Sequence, residues 1–180
     1  MKENINLQSE DKPGCSCAGC SEECSEAPPN PWPRGTAYVT TALFGIPVSM
    51  GAYALLRKAP RRLPIFVSIW AALATAVRQV VCCRCEYYGQ ECSTLMGLWT
   101  ASRFERDEDN PLTAEAFQLD FALIGASMLY PLPQVARMGQ RYLAFYALSI
   151  AVGGAGMRLL ACRVCPNDVC FMNPNHQLAR

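Results

Sequence analysis

Four apolar stretches of about 20 residues each limit what this 180-residue chain can fold into. They cover residues 36–56, 63–81, 116–135 and 142–161. A helix of this length crosses a hydrocarbon core of roughly 30 Å and satisfies its own backbone hydrogen bonds in lipid. The polar stripes of a soluble helical bundle are nearly absent. The sequence therefore predicts an all-α membrane protein with four transmembrane helices.

Charge and composition support the same class of protein. Charged residues make up 17% of the chain, against about 25% in typical soluble domains. The net charge of +1 argues against nucleic acid as a partner and leaves membrane lipid and other membrane protein subunits as the expected ones. Residues 1–34 form a Cys- and Pro-rich tail without the apolar run of a cleavable signal, and residues 35–180 form the membrane domain. Proline residues are expected to kink the first and third spans, at Pro47, Pro131 and Pro133.

The short connections between spans predict the orientation in the membrane. Residues 57–62 (RKAPRR) join the first two spans, and Arg137 and Arg141 lie between the last two, with no acid in either connection. Positive residues favour the cytoplasmic side. The chain is therefore predicted to be a multi-pass protein of the inner or plasma membrane. Both termini and all 11 Cys would be extracytoplasmic.

A shift of 80 residues aligns the chain with itself without a gap. Arginine and cysteine positions determine this register, and the matched pairs are Arg57/Arg137, Arg61/Arg141, Arg78/Arg158, Cys82/Cys162 and Cys85/Cys165. Each half would be a two-span hairpin of the same orientation, related to the other by a pseudo-two-fold axis along the membrane normal. The expected fold is two repeated hairpins with a Cys-rich extracytoplasmic cap.

The cap follows from the ends of the second and fourth spans, which both read Arg-x3-Cys-x2-Cys. Positions three apart share a helix face, so each Cys pair is expected to point together. Four thiolates suit tetrahedral Zn²⁺ or an iron–sulfur cluster. The predicted metal ligands are Cys82, Cys85, Cys162 and Cys165, with Cys92 and Cys170 as alternates. The corresponding function is a small subunit of a larger membrane redox or electron-transfer complex.

Two other functions fit the same cysteines. In the first, the chain exchanges disulfides with extracytoplasmic partners and passes electrons to quinone. Arg78 and Arg158, one turn before Cys82 and Cys162, would then lower the thiol pKa values. In the second, disulfides staple an accessory subunit that has no chemistry of its own. The sequence leaves open whether the chain is an enzyme, and it shows no catalytic triad, phosphate loop or nucleotide fingerprint.

The tail cysteines, Asp120 and Cys83 each lead to a further prediction. The tail has four cysteines within ten residues, which predict a second metal or disulfide site: Cys15, Cys17, Cys20 and Cys24. Asp120 opens the third span at the thiol end and is expected to pair with Arg78 or Arg158. Cys83 lies outside the repeat and is interpreted as a small buried residue.

Two cysteine segments resemble a group of uncharacterised small prokaryotic four-span membrane proteins. The segments are 85–92 (CEYYGQEC) and 162–173 (CRVCPNDVCFMN). The resemblance implies the four-span architecture and no reaction. In layout alone, four spans with an outer Cys-x2-Cys also resemble quinone-coupled thiol oxidases such as vitamin K epoxide reductase. The repeat and the additional cysteines depart from that family.

Overall fold

The computed structural model describes residues 30–167, 170, 172 and 173, and all the regular structure in these residues is helical. Helix α1 spans Thr36–Lys58. A 3-10 turn at Pro60–Arg62 leads into α2, Leu63–Ala72. A π-helical segment, Leu73–Val77, then continues into α3, Arg78–Val81. The long loop that follows contains a short helix, α4, at Met96–Ala101.

The C-terminal half of the described chain begins with α5, Ala114–Leu129, which Thr113 caps by accepting a hydrogen bond from the Ala116 N–H at 3.4 Å. Helix α6 spans Leu132–Ala136, and α7 spans Gln140–Met157. A second π-helical segment, Arg158–Cys162, extends α7. The two π-helical segments are not 80 residues apart, so the backbones of the two halves differ locally.

Three helical segments are long and apolar enough to cross a membrane: Thr36–Lys58, Pro60–Val81 and Gln140–Cys162. The third predicted stretch, 116–135, is divided between α5 and α6 at Tyr130 and Pro131. Proline lacks the N–H of a continuing helix, and its ring crowds the preceding turn. Pro47, in contrast, lies inside the unbroken α1. For the described residues, the prediction of a helical protein with helices long and apolar enough to span a membrane is confirmed for three helices.

Packing pairs helices from opposite halves of the chain. Helix α1 packs against α7 and α6, while α2 and its π-helical extension pack against α5. Two buried clusters mark these contacts. One contains Leu73, Val77, Val81 and Ala116. The other contains Ala54, Val135 and Tyr146.

Two close approaches show how tightly α1 sits against the C-terminal half. A Cβ added to Gly51 would lie 2.8 Å from Cγ of Pro131, and one added to Gly156 would lie 2.6 Å from Cδ1 of Leu43. The helices can pack this closely at both positions only because glycine has no side chain. Large apolar side chains meanwhile remain exposed along the outer faces of the long helices, as lipid contact requires: Val39, Ile46, Tyr53, Ile65, Val67, Leu119, Phe145, Leu148 and Leu159.

Candidate functional site

The first Cys-x2-Cys pair lies in a turn directly after α3. Cys82 follows the last helical residue, and the N–H of Cys85 donates to the carbonyl of Cys82 at 3.3 Å. Both cysteines were expected on a helix face, and the turn places them at the helix end instead. Nη1 of Arg78, one turn earlier, lies 3.9 Å from Sγ of Cys82.

The second pair has the same local geometry. The N–H of Cys165 donates to the carbonyl of Cys162 at 3.4 Å, just after the π-helical segment. Asn173, which is buried, holds the following loop closed. Its Nδ2 donates to the carbonyl of Cys165 at 3.0 Å and to that of Asn167 at 2.7 Å, and its own N–H donates to the carbonyl of Cys170 at 3.0 Å. Asn173 thus holds Cys165 through its side-chain amide and Cys170 through its backbone N–H.

Charge interactions between their ionised forms connect six of the seven described cysteines across both segments. Cys85 interacts with Cys92, Cys82 and Cys165. Cys165 also interacts with Cys92 and Cys170, and Cys170 interacts with Cys162. All six are free thiols. We refer to them as the thiol cluster: Cys82, Cys85, Cys92, Cys162, Cys165 and Cys170.

Helix α4 covers the N-terminal part of the thiol cluster. A Cβ added to Gly97 would lie 3.0 Å from Sγ of Cys92. Thr100, fully buried one turn later, lies beside the Cys82 side chain, and its hydroxyl donates to the carbonyl of Met96 at 2.6 Å. The loop before α4 is held against α1, because the Leu95 N–H donates to Oγ1 of Thr41 at 3.1 Å. These contacts fix Cys92 relative to α1.

A largely buried ion pair lies next to the thiol cluster, on the side of α3 and α5. Nη2 of Arg78 is bonded to Oδ1 of Asp120, and the two side chains are 12% and 10% exposed. Asp120 also interacts electrostatically with Cys170. The predicted pairing of Asp120 with an arginine is therefore confirmed for Arg78. Arg158 is exposed, and its interaction is with Cys162.

Burial dominates the acidity of the thiols outside the spans. Loss of hydration raises the pKa of Cys85 to about 11 and raises the pKa of Cys82, Cys165 and Cys170 above the ordinary thiol value. The Arg78 guanidinium lowers the pKa of Cys82, but the effect of burial is larger. These four cysteines are therefore protonated at neutral pH.

The donor set has the soft sulfur chemistry of zinc and iron–sulfur sites. No group of three or more His, Cys, Asp or Glu residues in the described ranges is positioned to hold a metal ion. Metal ligation also requires thiolates, which burial disfavours here. As they are placed, the described thiols form a proton-bearing cluster rather than a ready ligand set. The second predicted site, at Cys15, Cys17, Cys20 and Cys24, lies outside the described residues.

Several residues that position the thiol cluster were not recognised from the sequence. The Trp32 ring packs edge-on against Tyr87 at 5.2 Å, and its Nε1 donates to the carbonyl of Ala161 at 3.3 Å. Trp32 therefore joins the end of the N-terminal tail to both cysteine segments. For Gly97 and Thr100 the available signal is their three-residue spacing, which puts two small side chains on one helix face. For Asn173 the sequence offers only one indication of a role at the site, namely its position three residues after Cys170.

The fold and the site of the described residues define only a broad class: a helical protein with three helices able to span a membrane and a cluster of free thiols, half-buried except for the buried Cys170, near the ends of two helical segments. Comparison with protein-family models, with curated proteins and with solved structures found no match.

Proposed function

We propose that the chain is a four-span membrane protein built from two related hairpins, in which α5 and α6 together make the third crossing and α7 makes the fourth. The packing supports this proposal. Helix α1 packs against α7, and α2 packs against α5, which is the exchange of partners that a two-fold axis between hairpins generates. The matching turns at Cys82–Cys85 and Cys162–Cys165 support the same relation.

The charge distribution supports an extracytoplasmic thiol cluster. The end of the bundle opposite to the cluster carries the basic connections around Arg57 and Arg137, which contain no acid. At the thiol end, acids accompany the arginines, as in the Arg84–Asp107 pair. By the positive-inside rule, the basic connections face the cytoplasm and the Cys-rich cap faces outward.

The proposed chemistry is reversible thiol–disulfide exchange at the thiol cluster. The observation that carries it is that both halves of the chain contribute free thiols, half-buried or buried, to one region of the fold. A poorly hydrated site favours the neutral thiol and disulfide forms over separate thiolates. Cys85 and Cys92 lie in the same region as Cys165, so a disulfide between them would join the two halves of the chain.

The exchange is balanced by a disulfide of an extracytoplasmic protein. Two cluster thiols lose two protons and two electrons and form one S–S bond, while the partner disulfide is reduced to two thiols. In the reverse direction the cluster disulfide oxidises a partner dithiol. A quinone is the proposed membrane acceptor that restores the disulfide. An open cleft of about 650 Å³, lined in part by Trp32, Arg34 and Tyr38, adjoins the cluster at the start of α1.

A second candidate function is a metal or iron–sulfur centre in a larger electron-transfer assembly. The observation in its favour is the pair of Cys-x2-Cys turns with matching hydrogen bonds, since such turns commonly present two thiolates to one metal. The ligands would be Cys82, Cys85, Cys162 and Cys165, with Cys92 and Cys170 as alternates. Binding would have to draw these side chains together and release their protons.

The test is a count of thiols and metals on the full chain purified without oxygen. Thiol–disulfide exchange predicts free cluster thiols, no stoichiometric iron, zinc or acid-labile sulfide, and loss of thiols in pairs on addition of a disulfide. Dithiothreitol should restore them without unfolding the protein. Stoichiometric metal that protects the thiols would establish the second candidate. Disulfides that resist reduction until the bundle unfolds would show instead that the cysteines form structural disulfides with no exchange chemistry.

A further inference from the structure

The end of the bundle opposite to the thiol cluster carries a concentrated positive surface. Six basic side chains there are all exposed. None of them takes part in the ion pairs found among the described residues, which involve Arg78, Arg84 and Arg106. Residues 57–64 and 130–142 contain no Asp or Glu. We call this surface the basic rim: Arg57, Lys58, Arg61, Arg62, Arg137 and Arg141.

The two connections that carry the basic rim lie over one packed core. Met138 and Tyr142, from the second connection and the start of α7, pack against the cluster that contains Ala54 near the end of α1. Tyr130 also donates its hydroxyl to the carbonyl of Arg62 at 3.3 Å, which ties the two connections together. The six cations therefore form a single surface rather than two separate loops.

The position of the basic rim sets its depth in a membrane. Arg57 and Lys58 end the apolar helix α1, Arg61 and Arg62 precede α2, and Arg141 lies in the first turn of α7. A helix that spans the hydrocarbon core places such terminal residues among the lipid headgroups. Arginine presents a planar fork of N–H donors that matches a phosphate group.

We propose that the basic rim binds the phosphate groups of anionic phospholipids in the leaflet at that end of the bundle. Uncompensated positive charge at headgroup depth is complementary to an anionic leaflet, and each such cation strengthens the attraction by about fivefold. At the thiol end, ion pairs such as Arg84–Asp107 offset part of the positive charge. The preference for anionic lipid is therefore confined to the basic rim and does not depend on what the thiols do.

The test compares lipid retention by the full-length protein in mixed micelles of phosphatidylglycerol and phosphatidylcholine, measured by native mass spectrometry. The unaltered protein should retain phosphatidylglycerol preferentially. The double variant R57Q/R61Q removes two such cations and should reduce this preference by about 25-fold. The matched control R34Q/R103Q removes two cations elsewhere and should leave the preference unchanged. Equal retention of the two lipids by the unaltered protein would overturn the proposal, as would equal losses in both variants.

Two additional measurements test whether the basic rim acts as one surface and whether its ligand is a lipid. The variant R137Q/R141Q changes the second connection only, so it repeats the test if R57Q/R61Q does not fold. It should lower the preference as well, and an unchanged preference would refute a single surface. Inorganic phosphate in large excess should leave the bound lipid in place. Displacement of the lipid by phosphate would show a site for free phosphate and would overturn the assignment to lipid.

Discussion

Arg78 and Asp120 form a largely buried ion pair that joins α3 of the N-terminal half to α5 of the C-terminal half. The same arginine lies 3.9 Å from the sulfur of Cys82, and the same aspartate interacts with Cys170. The ion pair therefore connects Cys82 of the N-terminal half with Cys170 of the C-terminal half. Its burial makes it costly to break, because removal of one partner leaves the other charge without compensation.

The variant D120N should lower the free energy of unfolding by about 3 kcal/mol, since it leaves the Arg78 guanidinium buried and unpaired. Unfolding in detergent, followed by circular dichroism, measures the loss. The control is D107N at the more exposed Arg84–Asp107 pair, where the side chains are 25% and 29% exposed and a much smaller loss is expected. Equal losses in D120N and D107N would contradict the assignment of a buried pair.

The packing of α1 on the C-terminal half gives a second prediction. In G51A the new methyl group would meet the rigid ring of Pro131, with Cβ–Cγ and Cβ–Cβ distances of 2.8 and 3.3 Å. Overpacking of this kind costs about 1–3 kcal/mol. G45A in the same helix has nothing within 4 Å of its Cβ and should be neutral or slightly stabilising. Melting temperatures in one detergent distinguish the variants, and a stable G51A would refute the close approach of α1 to Pro131.

The raised pKa of Cys85 predicts a specific pH dependence of thiol reactivity. Only the thiolate reacts with iodoacetamide, so below pH 11 the alkylation rate of Cys85 in the folded protein should rise about tenfold per pH unit. In the unfolded chain the same thiol should reach half of its full rate at the ordinary thiol pKa of 9.0. Peptide mass spectrometry after timed labelling measures both curves. A folded-state midpoint at or below 9 would contradict burial of this thiol.

The same shift links stability to pH. The unfolded chain releases the Cys85 proton near pH 9, while the folded chain keeps it until about pH 11. The stabilisation from this group is therefore complete below pH 9 and is lost between pH 9 and 11. The melting temperature should fall across this window. Replacement of Cys85 by alanine should make the fall shallower, and an equally steep fall in that variant would assign the effect to other groups.

The loop that carries Cys165 and Cys170 depends on one buried amide. N173A removes hydrogen bonds to the carbonyls of Cys165 and Asn167, and each bond contributes about 1 kcal/mol. Cys165 and Cys170 should then alkylate several-fold faster. N110A removes an exposed amide that bonds only to Asp107 among the described contacts, and it should leave both rates unchanged. Unaltered labelling of Cys165 in N173A would show that Asn173 does not hold the loop.

Sequence analysis reached the helical class because apolar length is a strong signal, and Thr36–Lys58 begins where the first predicted span begins. It did not predict the division of the third stretch at Tyr130 and Pro131. A proline permits either a kink or a break, and Pro47 shows the opposite outcome in α1. The choice depends on tertiary packing, here the approach of Gly51 to Pro131.

The cysteines of the site were found from spacing, but their environment was not. The motif Arg-x3-Cys-x2-Cys suggested a lowered thiol pKa, because a cation one turn away is visible in the sequence and burial is not. Gly97 and Thr100 of α4 pack against Cys92 and Cys82 and help to bury these thiols. Helix α4 lies in the long loop, where the sequence shows no strong helical periodicity. The positions of Trp32 and Asn173 against the thiol cluster likewise depend on long-range contacts that the sequence alone does not reveal.

The most direct test of the proposed chemistry asks whether oxidation joins the two halves of the chain. A protease site introduced in the exposed segment 108–111 would separate Cys85 and Cys92 from Cys165 after cleavage. After treatment with oxidised glutathione, the cleaved protein should run as one species on a non-reducing gel and as two after dithiothreitol, and C165S should remove the linked species. Halves that separate under both conditions, with the cluster thiols still free, would contradict the proposed dithiol–disulfide centre.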